Sequence, residues 1–252
     1  MLKGVLLDVD GVLVQAWRPL PGAVEALDRL RGSGIPFRLV TNTTQFSCRG
    51  LARMLREGGL DVTDEEVLTA TAATAAYLRR HHPGARCYVL AAGDAVTDLG
   101  DVDFVENDAE VVVIGDAEQD FTYDNLNKAF RMVMNGAALV AMQRGLFWIS
   151  EDGPALDVGA FVAGIEQAAK VKAAIAGKPS PDFFLAALES LGLEASDVLM
   201  VGDDVQTDVN AARAVGIQAA LVRTGKYRPG DEELIELPAP VIDSIADLGS
   251  LI

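Results

Sequence analysis

Residues 3–13 read Lys-Gly-Val-Leu-Leu-Asp-Val-Asp-Gly-Val-Leu, and this stretch decides the fold. Residues 4–7 are a short apolar run without polar alternation, the pattern of a strand buried on both faces in a parallel sheet. The run stops at Asp8; Asp10 follows after one residue, and Gly11 after that. In open α/β sheets, ligands bind just beyond the carboxyl ends of the strands. Two carboxylates that close raise each other's pKa unless a cation sits between them. A hard, oxygen-seeking ion such as Mg²⁺ meets that need. Taken alone, the same residues also read as an acidic loop after a strand, so the rest of the chain has to separate the two readings.

Outward from this strand the pattern alternates. Residues 23–31 carry Val24, Leu27 and Leu30 at helical spacing, and Gly32 and Gly34 end that helix. Residues 35–40 form a second apolar strand that runs into Thr41, Asn42, Thr43 and Thr44. Ser47 caps a helix through Arg56, and Thr63 with Asp64, Glu65 and Glu66 opens another that continues to about Arg80. Strand, helix, strand, helix means α/β. Strands at 87–91, 111–114 and 138–142 and helices at 123–134 and 161–169 follow, with no carboxylate pair at a strand end. The opening pattern then returns. Gly177-Lys178-Pro179-Ser180-Pro181 leads into a helix over 182–191, and strand 198–201 ends in Gly202-Asp203-Asp204. A helix carrying Asp208, a strand at 217–222, a loop at 224–230, residues 241–242 and a short terminal helix complete the chain. The expected division is a catalytic core, residues 1–73 and 175–252, with an inserted α/β domain over 74–174.

Composition narrows the function. The net charge of −16 repels nucleic-acid phosphates and anionic membranes, and no Lys/Arg run offsets it. No stretch is long enough to span a bilayer, and the early aspartates argue against a signal peptide, so a cytoplasmic location is expected. Cys48 and Cys87 are isolated, which suits a reducing compartment and ordinary packing. A phosphorylated substrate would therefore be held by local donors and a metal rather than by a global field.

Four signals fall at strand ends or turns: Asp8/Asp10, Thr41-Asn42, Lys178, and Asp203 with Asp208. They supply the parts of a phosphoryl-transfer site: a carboxylate nucleophile, a second carboxylate as acid and base, donors for phosphate oxygens, and a metal against developing charge. In this order they resemble the haloacid dehalogenase superfamily, across almost the whole chain. The resemblance implies a doubly wound, Rossmann-like parallel-sheet core. It implies Asp8 as nucleophile, and Asp10 as the acid that protonates the leaving group and then activates water. It implies Mg²⁺ on the Asp8 carboxylate, the Asp10 carbonyl and the Asp203 carboxylate, with Asp208 behind the metal orienting its water. Gly11, Thr41, Asn42, Thr43 and Lys178 would hold the phosphate. An insert between the threonine and lysine motifs resembles the branch with a large α/β cap, which includes nucleotide, glycolate and p-nitrophenyl phosphatases. Residues 121–130, 156–162 and 216–230 look most like a group within it that acts on phosphoamides and pyrophosphate. Some members have asparagine in place of Asp10; this chain keeps the acid, so turnover is expected.

The substrate implied is a small phosphorylated molecule. The competing readings are a phosphotransferase or mutase on the same core, and an idle binding protein, which intact Asp8, Asp10, Lys178 and Asp203 argue against. Asp204 reads as a first-turn helix acid. His81-His82 at a helix end suits the dipole better than catalysis. Trp17 follows the nucleophile loop. Arg144, Asp152 and Asp157 flank an expected cap loop over 145–159, a candidate substrate contact. Leu146-Phe147-Trp148-Ile149 suggests a homodimer through the cap. Lys226 and Arg228 offer charges that could guide phosphate, but they read first as solvated surface charges.

Overall fold

The computed structural model describes residues 2–150 and 153–252. The chain divides into two compact units. The first comprises the segment ending at Thr41, Cys48–Leu68 and Lys178–Ile252; the second comprises Asn42–Ser47 and Thr69–Gly177.

The first unit is built on a six-stranded sheet in the order Val241–Ile242, Gln218–Val222, Val198–Gly202, Gly4–Asp8, Phe37–Thr41, Val67–Thr69. Gly4–Asp8 is central and fully buried, as its unbroken apolar run requires. It pairs in parallel with Val198–Gly202, Leu7 opposite Val201, and with Phe37–Thr41, Asp8 opposite Val40. That register brings Asp8, Thr41 and the Gly202–Asp203 junction to the same end of three adjacent strands. Helix Ala23–Gly32 buries Ala23, Ala26, Leu27 and Leu30. Helix Pro181–Leu191 starts on the Ser180 cap with proline in its first turn, and buries Phe183 and Phe184, packed edge to face at 5.7 Å.

The helix expected from Thr63 to about Arg80 is in fact three elements. Thr63 and Glu66 do form a reciprocal capping box, but on a single 3₁₀ turn, Asp64–Glu66. Val67–Thr69 then adds an edge strand to the sheet with all three residues buried, and Thr69 caps a new helix, Ala70–His81, by accepting from Ala72 N at 3.2 Å. Val67 and Thr69 are β-branched, and the triplet gains more from the sheet than from continuing a helix. The acidic cap signature belongs to the 3₁₀ turn, and the strand separates it from the helix.

The second unit carries a five-stranded sheet in the order Ala174–Ile175, Ala138–Ala141, Val111–Ile114, Arg86–Leu90, Asp103–Phe104, parallel throughout. Helices Tyr123–Met134 and Val158–Ala169 cover one face through Ala129, Met132, Val133, Val162 and Ile165, with the Phe121 and Phe161 rings stacked at 3.9 Å. Ala75 and Leu78 of Ala70–His81 pack with Cys87, Val111 and Val113. Asn42–Ser47 joins this unit by polar contacts. Ser47 donates to Asp94 from its amide at 3.0 Å and its hydroxyl at 2.8 Å, Gln45 donates to Asp116, and the Asp116 amide donates to the Thr44 hydroxyl.

The expected loop over 145–159 contains an antiparallel hairpin, Phe147–Ser150 with Gly153–Leu156. Asp152 lies outside the described residues. Both cysteines are free thiols, and no described helix is long and apolar enough to cross a membrane. The architecture is α/β, a doubly wound parallel core whose sequence is interrupted by a second α/β unit.

Candidate active site

Asp8 ends the central strand and is buried. Its Oδ1 accepts from its neighbour's amide, Val9 N, at 2.9 Å and from Lys178 Nζ at 2.7 Å. Among the described residues nothing donates to its Oδ2, so one carboxylate oxygen is pinned and the other is unencumbered. Beyond it the chain folds back at once: Gly11 N donates to Val14 O, and Leu13 N and Val14 N both donate to Val9 O. A short hairpin, Val14–Gln15 with Arg18–Pro19, follows, with Trp17 in the left-handed region at its turn. Asp10 therefore leaves the strand on a tight turn with its side chain reaching solvent. The protein packed around it, and then the Asp8 charge, raise its pKa above the ordinary carboxylate value. That direction favours a carboxyl that carries a proton.

Lys178 is 3 % exposed and bridges two carboxylates, Asp8 Oδ1 and Asp208 Oδ1, each at 2.7 Å. Burial alone would strip its charge, but the two partners reverse that and hold the ammonium well above its usual pKa. Asp208 sits in a single π-helical turn, Val205–Asn210, rather than in the plain helix expected. Its Oδ2 accepts from Asp204 N at 3.2 Å. Gly202 makes that approach possible, because a Cβ there would lie 2.2 Å from the Asp208 Cβ. Asp204 points elsewhere: its Oδ1 accepts from Gln206 N and Thr207 N, so it caps the turn, as its sequence position suggests.

Asp203 is 1 % exposed. Its Oδ2 accepts from Lys226 N at 2.7 Å, while its Oδ1 is buried without a donor. Burial, and then the Asp8 charge, push its pKa up to about 7. Oxygens of Asp8, Asp203 and Asp208 all lie within 4.8 Å of one another. An all-oxygen set around a bare buried oxygen fits Mg²⁺: the ion would supply the missing partner and reverse the repulsion. The glycines belong to the same construction. A Cβ on Gly11 (φ +80°) or on Gly225 (φ +61°) would lie 2.0 Å from Asp203 Oδ2.

The first unit thus brings Asp8, Gly11, Lys178, Asp203 and Asp208 together, with Asp10 beside them and Thr41 at the end of the neighbouring strand. Asn42 and Thr43 belong to the second unit, covalently next to Thr41. The loop at 224–230 also enters the site, through the backbone of its first turn. Its Thr224 hydroxyl donates to the Gly11 carbonyl and its Lys226 amide to Asp203. The signal in the sequence is a Thr-Gly just after a buried strand. Two proposed substrate contacts have structural partners instead. Arg144 pairs with the buried Glu166, and Asp157 caps helix Val158–Ala169 while accepting from Gln143 Nε2 at 2.7 Å. His81 packs its ring on Tyr77, 4.4 Å between centroids, at its helix end.

Comparison with known proteins agrees with this geometry. Residues 5–105 match the haloacid dehalogenase-like hydrolase family, and residues 175–248 match the HAD-hydrolase-like family. The chain is 38% identical over 245 residues to a phospholysine phosphohistidine inorganic pyrophosphate phosphatase of Xenopus laevis, covering 94% of this chain and 89% of that protein. It is 40% identical over 237 residues to haloacid dehalogenase-like hydrolase domain-containing protein 2 of Homo sapiens, covering 94% and 90%. Among solved structures, a p-nitrophenyl phosphatase from Archaeoglobus fulgidus superposes with a TM-score of 0.91 at 30% identity over 99% of both chains.

Proposed function

The chain belongs to the haloacid dehalogenase-like hydrolase family, and from that premise we propose that it is a Mg²⁺-dependent phosphatase of a small phosphorylated molecule, working through an aspartyl-phosphate. The observation that carries this reading is Asp8: buried, with one oxygen held by Lys178 and the other free of donors. Asp8 Oδ2 attacks phosphorus, the Asp8–phosphorus bond forms, and the bond to the leaving oxygen breaks. Asp10 gives its proton to that oxygen. It then takes a proton from the water that attacks the aspartyl-phosphate, and inorganic phosphate leaves. Lys178 fixes the nucleophile and offsets charge on the phosphoryl oxygens. Gly11, Thr41, Asn42 and Thr43 hold those oxygens. Asp8, Asp203 and the Asp10 carbonyl would hold Mg²⁺, which supplies Lewis-acid stabilisation of the phosphoryl group, and Asp208 keeps Lys178 and the Asp203 loop in place.

Groups that touch only the phosphoryl bind all phosphomonoesters uniformly, so selectivity for the leaving group has to come from other residues, and the inserted unit is the large candidate. The relatives' names make phospholysine, phosphohistidine and pyrophosphate natural members of a substrate panel. The exposed side chains of Leu146, Phe147, Trp148 and Leu156 on the hairpin support a homodimer through this unit. The test is phosphate release from that panel and p-nitrophenyl phosphate, with Mg²⁺ and with EDTA, for wild type and Asp8→Asn. The expected result is Mg²⁺-dependent release and at least a ~10⁴-fold loss in the variant. Full activity in EDTA, or a variant above one-hundredth of wild type, would overturn the reading.

A further inference from the structure

Lys226 has no place in the mechanism above, yet its backbone is part of the site. Among the described residues its amide is the one donor on Asp203 Oδ2, at 2.7 Å. The residue before it, Gly225, is pressed so close that a Cβ there would lie 2.5 Å from the Gly11 Cα, and the Thr224 hydroxyl donates to the Gly11 carbonyl. The turn 224–226 therefore clamps the nucleophile loop to the Asp203 loop, and the Lys226 side chain starts from inside that clamp.

The ammonium itself is unspent. The side chain is exposed, and among the described residues it makes no ion pair, although Asp203, Asp8, Asp208 and Asp204 all act on its charge. Lys178, by contrast, is committed to two carboxylates. An anionic substrate approaching Asp8, Asp10, Asp203 and Asp208 on a chain of net charge −16 has one uncommitted cation to meet on this turn. Lys178 is taken up at the nucleophile, so the cation left for the rest of the substrate is Lys226, on the turn that packs against Gly11, next in sequence to Asp10.

Resting on the proposed phosphatase reading, we propose that Lys226 is a specificity-determining residue that takes an anionic group on the leaving half of the substrate, so that the site prefers phosphoryl compounds carrying a second negative charge near the scissile bond. A charge-assisted hydrogen bond to carboxylate or phosphate is what a free, flexible ammonium provides.

The experiment compares two non-hydrolysable ligands of nearly the same shape. Phosphonoacetate carries a carboxylate where ethylphosphonate carries a methyl group. Their affinities are measured by calorimetry, with Mg²⁺, for wild type, Lys226→Gln and Lys226→Arg. The amide on Asp203 survives both substitutions, so the clamp stays. Wild type is expected to prefer phosphonoacetate by about tenfold, Lys226→Gln to lose that preference, and Lys226→Arg to keep most of it. Absence of a preference in wild type, its survival in Lys226→Gln, or an equal weakening of both ligands would overturn the proposal. Binding is read without turnover. A chain that releases no phosphate from any ester would refute the phosphatase reading, while this comparison would still decide the role of Lys226.

Discussion

Asp203→Asn is expected to stabilise the metal-free protein. The wild-type carboxylate is buried, one of its oxygens has no donor, and burial with the Asp8 charge lifts its pKa from 3.8 to about 7. An acid whose folded pKa is raised contributes stability that is fully present below the unfolded pKa and is lost as pH rises through the folded one. For Asp203 that window runs from about pH 4 to about pH 7. Three pKa units correspond to about 4 kcal/mol, a ceiling that relaxation and water entry reduce to about 2–4 kcal/mol. Asparagine is nearly isosteric, keeps an oxygen for the Lys226 amide, and carries no charge to desolvate. Urea unfolding in EDTA should therefore show the variant more stable than wild type by about 2–4 kcal/mol at pH 8, and nearly equal at pH 4. Added Mg²⁺ should raise the wild-type midpoint at pH 8 and leave the variant's almost unchanged, because a ligand that binds only the folded state stabilises it. A variant less stable than wild type by more than about 1 kcal/mol at pH 8 in EDTA would refute this account of Asp203.

Arg144→Ala should lower stability by about 1–3 kcal/mol, since it leaves the buried Glu166 with only the Ala173 amide; it should change kcat/KM for two unlike substrates by the same small factor. A selective loss on one substrate would return Arg144 to the list of substrate contacts. Light scattering at micromolar concentration should give twice the chain mass, and Phe147→Glu, on the exposed hairpin, should shift it to the monomer; a monomeric wild type would remove the dimer.

Much of this was legible in the chain because it rests on local rules. Buried parallel strands announce themselves as unbroken apolar runs; Gly4–Asp8 ends in one of the aspartates that matter, and Val198–Gly202 runs directly into another, Asp203. Helix Tyr123–Met134 and strand Val111–Ile114 fall at the residues their periodicity indicates. Asp8/Asp10, Thr41-Asn42, Lys178 and Asp203 with Asp208 each follow directly from a strand end or turn, and it is their order along the sequence that resembles the family.

Other features depend on partners far away in sequence. Val67–Thr69 is too short to show a period, and only a vacant sheet edge makes it a strand. Arg144 and Asp157 are charges beside a loop until Glu166 and Gln143 are placed next to them. Asn42–Ser47 follows a core strand in sequence, yet Asp94 and Asp116 tie it to the second unit. Lys226 reads as one surface charge among many, and its amide becomes part of the site only because the sheet order sets Gln218–Val222 beside Val198–Gly202. Local sequence sets which residues can do the chemistry and at which strand ends they stand, because strand burial and its termination are local properties. Only the tertiary structure decided which charges are spent and which remain free, because that depends on distances between segments whose separation along the chain carries no record of them.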